Sequence, residues 1–315
     1  MKEALLLVNM GGPNSLDQVR GYLRAIFRDP AILPLPSPLR GLLASLISSR
    51  RSPVVEDRYR LIGGHSPLLH WTERLRGGIA SALRDAGQES VVAYAFRYAA
   101  PLIPDVFSSL KAQGVGRVTV LPLFPHFTPA MSGSILVEAR RAAQQLELQW
   151  RALDAWGSHP DVLGLWSRYL NRSLDLAGDG ARVLFVAHGV PLRNVRNGDD
   201  YPERVTDTAI ALAQTLPRGT SWSLAYQSNV GPVEWTGPYL EHEIERLAAS
   251  PEPLVIMPLS FAADCLETLY DLDHVAMERA RTAGIESVVR VRVFNDDPEF
   301  ARILASMVME ESHVS

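Results

Sequence analysis

The chain has 315 residues, 47% hydrophobic and 21% charged, enough for one large globular core or two smaller ones. Its 31 lysines and arginines face 35 aspartates and glutamates, a net charge of −4, so no basic excess advertises a nucleic-acid partner. A single cysteine, Cys265, excludes an intrachain disulfide and any thiolate cluster built from this chain alone, and fits a reducing compartment.

From the N-terminus, the apolar run Leu5–Val8 is halted by Asn9. It is too short for a signal-peptide core and predicts a buried strand over 3–9, in keeping with a cytoplasmic protein. No segment approaches the apolar length of a membrane span. A helical pattern covers 15–27. Residues 30–50 are punctuated by proline and then turn apolar, with Leu39, Leu42, Leu43, Leu46 and Ile47 on one helical face. Two readings are open for that insertion, which extends over about 30–53. One is a helix packed on its own domain; the other is an apolar lip over a cleft for a large greasy ligand, with peripheral membrane contact. Arg50 and Arg51 at its end suit lipid head groups or ligand carboxylates. Next come a helix at 66–86, strands at 91–97 and 117–123, a helix at 133–146 and a strand at 149–155. Further strands are predicted at 182–187, 222–227, 253–259 and 287–294, and helices at 202–215 and 266–283. Several strands are apolar on consecutive residues, the mark of strands covered on both faces. Strands alternating with helices argue for parallel sheets and an α/β fold.

The chain also repeats itself. Leu5–Pro13 resembles Val183–Pro191, and Tyr94–Tyr98 leading to Pro101 resembles Leu224–Ser228 leading to Pro232. Leu121–Phe124 parallels Met257–Ser260, and Trp156–Pro160 parallels Phe294–Pro298. The order is the same in both halves, with roughly 40 extra residues after the first strand of the first half. A first half over 1–160 and a second over 161–315 follow. Open α/β sheets bind ligands at the carboxyl ends of their strands, which directs attention to the loops 9–13, 97–101, 124–133, 188–195, 228–238 and 260–267.

Two of those loops carry conspicuous chemistry. His188 directly follows an apolar strand, where imidazole suits proton abstraction or metal ligation, or else a simple hydrogen bond to the turn. Asp264, Glu267, Asp271 and His274 step by three, four and three, which on an α-helix places them on one ridge. Asp264 also suits a helix N-cap. Neither a His-Glu-x-x-His pattern nor a dinucleotide, Walker or Gly-x-Ser-x-Gly loop is present. A metal that is a substrate and must leave fits this better than a permanent metal centre.

Taken in order, Asn9-Met10-Gly11-Gly12-Pro13, Tyr59-Arg60 with Ile62-Gly63-Gly64-His65-Ser66-Pro67, Phe96-Arg97-Tyr98, Ala187-His188-Gly189-Val190-Pro191, Tyr226-Gln227-Ser228 with Val230-Gly231-Pro232 and Trp235 before Gly237-Pro238, and Asp264-Cys265-Leu266-Glu267-Thr268-Leu269-Tyr270 closely resemble the ferrochelatases. The resemblance covers nearly the whole chain. It implies two similar Rossmann-like halves, each a parallel sheet flanked by helices, with a porphyrin cleft between them. It implies ferrous iron and protoporphyrin or coproporphyrin as substrates, protoporphyrin being favoured by the apolar lip. His188 then takes protons from pyrrole nitrogens or meets the metal, and Glu267 is the matching carboxylate on the opposite wall. Asp264 and Asp271 join His188 and Glu267 in handling metal. Met10, Arg51, Tyr59, Arg97, Tyr98, Ser228, Trp235 and Phe261 match positions that line the pocket or hold propionates.

The chain departs from the family at Cys265, where histidine is usual, at Val275 in place of an acid, and at Val54 in place of a basic residue. With one cysteine, no iron–sulfur cluster and no other resident cofactor are expected. A chelatase for another tetrapyrrole and metal, or a non-catalytic haem carrier with Cys265 as axial ligand, are the alternative readings.

Overall fold

The computed structural model describes residues 1–228 and 233–313. The chain forms two compact units. The first contains Met1–Asp154, Ala263–Leu266 and the segment from Phe294 onward; the second contains Ala155–Ala262 and Glu267–Val293. The division expected at 160/161 thus falls at 154/155, and the C-terminal segment joins the first unit. Hydrophobic pattern alone cannot assign an amphipathic terminal helix to one of two similar sheets.

In the first unit the strands β1 (Lys2–Asn9), β2 (Val91–Phe96), β3 (Val115–Pro122) and β4 (Gln149–Ala152) form a parallel sheet of order β2-β1-β3-β4. Five helices accompany them: α1 (Val19–Phe27), α2 (Ser37–Leu61), α3 (Leu68–Asp85), α4 (Ile103–Ala112) and α5 (Ser134–Gln145). In the second unit β5 (Arg182–His188), β6 (Trp222–Gln227), β7 (Leu254–Pro258) and β8 (Val288–Arg290) form a parallel sheet of order β6-β5-β7-β8. Its helices are α6 (Pro160–Ala177), α7 (Leu192–Arg196), α8 (Tyr201–Ala213), α9 (Leu240–Ala248) and α10 (Met277–Thr282). The last helix, α11 (Pro298–His313), packs against α3 in the first unit. The two sheets share one strand order, as a repeat demands. The strand expected at 287–294 is paired over only three residues.

The cores follow from the consecutive apolar strands. Leu6, Val8, Val118 and Val120 pack on Phe107 and Ile135 in the first unit. Leu184, Val186, Leu254 and Ile256 pack on Ile244 and Leu272 in the second. Each fully buried leucine or valine there contributes about 2 kcal/mol of transfer free energy. A satellite cluster of Val19, Leu23, Val55 and Tyr59 joins α1 to α2, with Leu266 against it.

Helix α2 differs from its expected form. It does not end near Arg50 but runs through Pro53 to Leu61. Its buried side is the small-residue line Ala44, Ser48 and Ser52, continued by Val55 and Tyr59. Leu39, Leu42 and Leu46 are exposed, at 47%, 68% and 45%. The helix thus does pack on its own unit, against α1, but through small residues that allow close backbone approach together with Val55 and Tyr59, while Leu43 and Ile47 are half-buried and Leu39, Leu42 and Leu46 face outward.

Candidate active site

In the second unit the strand ends converge on His188, the last residue of β5. Its backbone N–H donates to Ser260 Oγ at 3.0 Å, and Ser260 shares a 2.6 Å hydrogen bond with the Tyr201 hydroxyl. Tyr201 is buried, and burial first, then the neighbouring Tyr226 and Asp199, hold its phenol protonated well above the usual tyrosine range. The His188 ring lies 2.7 Å through Nδ1 from the Gly189 carbonyl oxygen. A carbonyl only accepts, so Nδ1 carries a proton, and in the neutral ring the lone pair is on Nε2.

Beside it, the loops after β5 and β6 are stitched together. Val190 N–H donates to Thr236 Oγ1 at 3.0 Å, Thr236 N–H to the Val190 carbonyl at 2.9 Å, and Leu192 N–H to the Glu234 carbonyl at 2.9 Å. Trp235 is thereby held with its ring 6.3 Å from the His188 ring, tilted by 63°. Gly189 is needed in this seam: a Cβ there would sit 3.1 Å from the Gln227 carbonyl and 3.3 Å from Thr236 Oγ1. Ser228 follows β6 with a left-handed backbone (φ 68°). The Val230-Gly231-Pro232 portion of the motif lies outside the described residues.

Phe261 is half-buried just after β7. Glu267 and Asp271 are half-buried on the stretch Glu267–Ala276, which is a π-helix and not the expected α-helix. A π-helix takes about one more residue per turn, so the spacing of three, four and three no longer makes a single ridge. His274 is exposed and its ring lies against Tyr270. Asp264 precedes the helix and belongs to the first unit, where its backbone N–H donates to Asn295 Oδ1. Among the described residues no three histidine, cysteine, aspartate or glutamate side chains gather into a metal-holding group. Within the second unit, His188, Glu267 and Asp271 accordingly form no such group.

In the first unit the loops after β1 and β2 run side by side. Arg97 N–H donates to the Asn9 carbonyl at 2.9 Å and Tyr98 N–H to the Met10 carbonyl at 3.0 Å. Gly11 (φ +82°) permits this, since a Cβ there would meet Phe96 and Ala99 at 2.8 Å. Met10 is half-buried. Arg97 and Tyr98 both direct polar groups to Asp29. Asp29, itself buried, accepts from Arg97 Nη2 at 2.8 Å, from the Tyr98 hydroxyl at 2.8 Å, from Ser134 Oγ at 2.5 Å and from Ala31 N–H at 2.8 Å. Burial opposes ionisation of Asp29, yet the bonds from Ser134, Ala31 and Tyr98 and the Arg97 charge hold its carboxyl below the usual range. Tyr98 is pushed the other way, by burial and by Asp29. Arg51 is half-buried over the Phe27 ring at 5.7 Å, and burial and the Arg58 charge lower its pKa. Tyr59 is almost fully buried in the satellite cluster.

Sequence reasoning missed Asp29, Tyr201, Ser260 and Gln227. Gln227 is 4% exposed, and neither its amide oxygen nor its nitrogen has a hydrogen-bond partner among the described residues. It pairs in register with His188, so the two leave their strands on the same face. Its place in the Tyr-Gln-Ser motif was the available signal. Asp29 and Tyr201 carried none, because their partners are remote in sequence.

The ferrochelatase family model matches residues 2–312. The chain belongs to the ferrochelatase family. Ferrochelatases of Synechococcus sp. (strain RCC307) and Synechococcus elongatus are 38% and 37% identical to it, each over 96% of this chain and 81% of the relative. Among solved structures, SirB from Bacillus subtilis with Fe3+ aligns at a TM-score of 0.61 and 16% identity, covering 98% of this chain and 95% of SirB. CbiX, the terminal enzyme for biosynthesis of sirohaem in denitrifying bacteria, aligns at 0.56 and 14%, covering 98% of both chains. At such identities these two share the fold alone. As a ferrochelatase-family member the chain is a metal chelatase, inserting metal into a porphyrin for haem synthesis.

Proposed function

We propose that the reaction is insertion of ferrous iron into protoporphyrin IX, with iron a passing substrate and no resident cofactor. The observation that carries this reading is the 2.7 Å contact of His188 Nδ1 with the Gly189 carbonyl, at the end of β5, which in the neutral ring leaves Nε2 as the base. A free porphyrin carries two pyrrole protons that iron must displace, so one ferrous ion enters as two protons leave. His188 accepts a proton at Nε2, and Glu267 is the second acceptor in the family pattern. Ser260 and Tyr201 fix the backbone from which the imidazole projects. Met10, Trp235 and Phe261 supply apolar and aromatic surface for a flat ring, and Arg51 and Ser228 meet its propionates. Arg97 and Tyr98, bonded to Asp29, shape the wall, as does buried Tyr59. Asp264 and Asp271 hand the ion on singly. The outward leucines of α2 serve peripheral membrane contact, where an apolar porphyrin would be collected.

Anaerobic mixing of purified protein with ferrous iron and protoporphyrin IX, followed by loss of porphyrin fluorescence and growth of haem absorbance, tests the proposal. Turnover is expected in the wild type and a fall of at least about a hundredfold in His188→Ala and Glu267→Gln. Turnover with coproporphyrin III alone would overturn the choice of porphyrin, and full activity in His188→Ala would overturn the base.

A further inference from the structure

The turn Phe294–Pro298 enters the sequence argument only as one copy of a repeat. In the first unit it holds Asp264. Asp264 N–H donates to Asn295 Oδ1 at 2.7 Å, and Asn295 Nδ2 donates to Asp264 Oδ2 at 2.8 Å, across 31 residues of sequence. The backbone N–H can only donate, so the amide orientation is fixed: its oxygen faces the main chain and its NH2 faces the carboxylate.

The turn is itself secured on every side. Phe294 stacks on Phe300 at 4.1 Å and 16°, both almost fully buried. Asp297 N–H donates to the Phe294 carbonyl at 3.0 Å, and Asp297 Oδ1 accepts from Glu299 N–H at 2.8 Å and caps α11. Asp296 pairs with Arg74 of α3. Asn295 alone in this turn has a left-handed backbone (φ 52°), a conformation that asparagine tolerates better than most residues. Two residues past Asp264, Leu266 packs on the satellite cluster of Val19, Leu23, Val55 and Tyr59, so the short segment is anchored at both its ends.

We propose that Asn295 is a positioning residue that holds the Asp264 carboxylate in the orientation used to handle the incoming divalent ion. The proposal rests on the metal-insertion reading above and adds a group outside the motifs that carry it. A two-point amide clamp on a pre-built turn fixes both the main chain and one carboxylate oxygen, where a solvated aspartate would sample several rotamers.

Glycine and aspartate variants separate this role from a turn-forming one. Asn295→Gly keeps the left-handed backbone and removes the amide. Asn295→Asp keeps the size and an acceptor for Asp264 N–H, but puts a carboxylate where the NH2 was. The readouts are KM for ferrous iron and for porphyrin, Co2+ affinity of the porphyrin-free protein by calorimetry, and the thermal midpoint. The expected result in both variants is an iron KM raised about tenfold, weaker Co2+ binding and an unchanged porphyrin KM. In an Asp264→Ala background the Asn295 variants should have no further effect. Wild-type iron KM and Co2+ affinity in Asn295→Gly would reduce Asn295 to a turn residue and overturn the proposal. An effect that persists undiminished without the Asp264 carboxylate would overturn it as well. If the wild type metallates no porphyrin, the functional reading fails, and the Co2+ titrations still decide the clamp.

Discussion

At the scale of the residue, the second unit spends its hydrogen bonds on holding His188. The N–H, the ring Nδ1 and the neighbouring tryptophan are all constrained, while the adjacent Gln227 amide has no partner among the described residues. A buried amide left unpaired costs about 1–3 kcal/mol, an expense consistent with a group kept for a substrate. Gln227→Met, of similar shape, should unfold at a higher temperature by calorimetry and metallate porphyrin more slowly. A variant both less stable and fully active would refute that assignment. Asp29 makes the opposite case, with every oxygen contact internal to the first unit. Its carboxyl is held below the unfolded value near 4, so its stabilisation is complete above about pH 4 and is lost as pH falls through the depressed folded value. Asp29→Asn should therefore cost about 3 kcal/mol at neutral pH and flatten the acid limb of stability, checked by urea titrations at several pH values.

At the scale of the element, helix α2 and the π-helix show what periodicity cannot decide. Leu39, Leu42 and Leu46 form a stripe at helical spacing, and such a stripe ordinarily marks the buried face. Here alanine and serine occupy the buried line and the stripe is outside. A spacing rule identifies faces but not which face a neighbour covers. Leu42→Glu, at a 68% exposed position, should leave the thermal midpoint unchanged and lower partitioning onto phospholipid vesicles about tenfold in a flotation assay. Equal partitioning would remove membrane contact from the reading. The stretch from Glu267 was legible as a helix but not as a π-helix, because the choice between five-residue and four-residue hydrogen bonding depends on how its Leu272 and Ala276 pack into the core of the second unit and not on local propensity.

At the scale of the whole molecule, the repeat and the units divide the chain differently. The strand order is duplicated, yet α11 closes the first unit against α3, with Ala301 lying 3.0 Å from where a Gly78 Cβ would be. Ending the chain after Val293 removes Phe294, Phe300 and Leu304 from that core. Losing a single buried phenylalanine costs about 3–5 kcal/mol against a domain stability of about 5–15 kcal/mol. The truncated chain should thus lose protease resistance in residues 1–154 ahead of the second unit, as limited proteolysis with peptide mapping would reveal.

The sequence alone determined the α/β class, most strand positions, the twofold repeat and the placing of His188 at a strand end, because these depend on apolar runs and on their order along the chain. Tertiary structure decided the rest. The Asp29 cluster, the Tyr201–Ser260 prop and the Asn295 clamp join residues from 31 to 105 positions apart. A polar side chain's partner is set by where the chain returns in space, and no local pattern encodes that return.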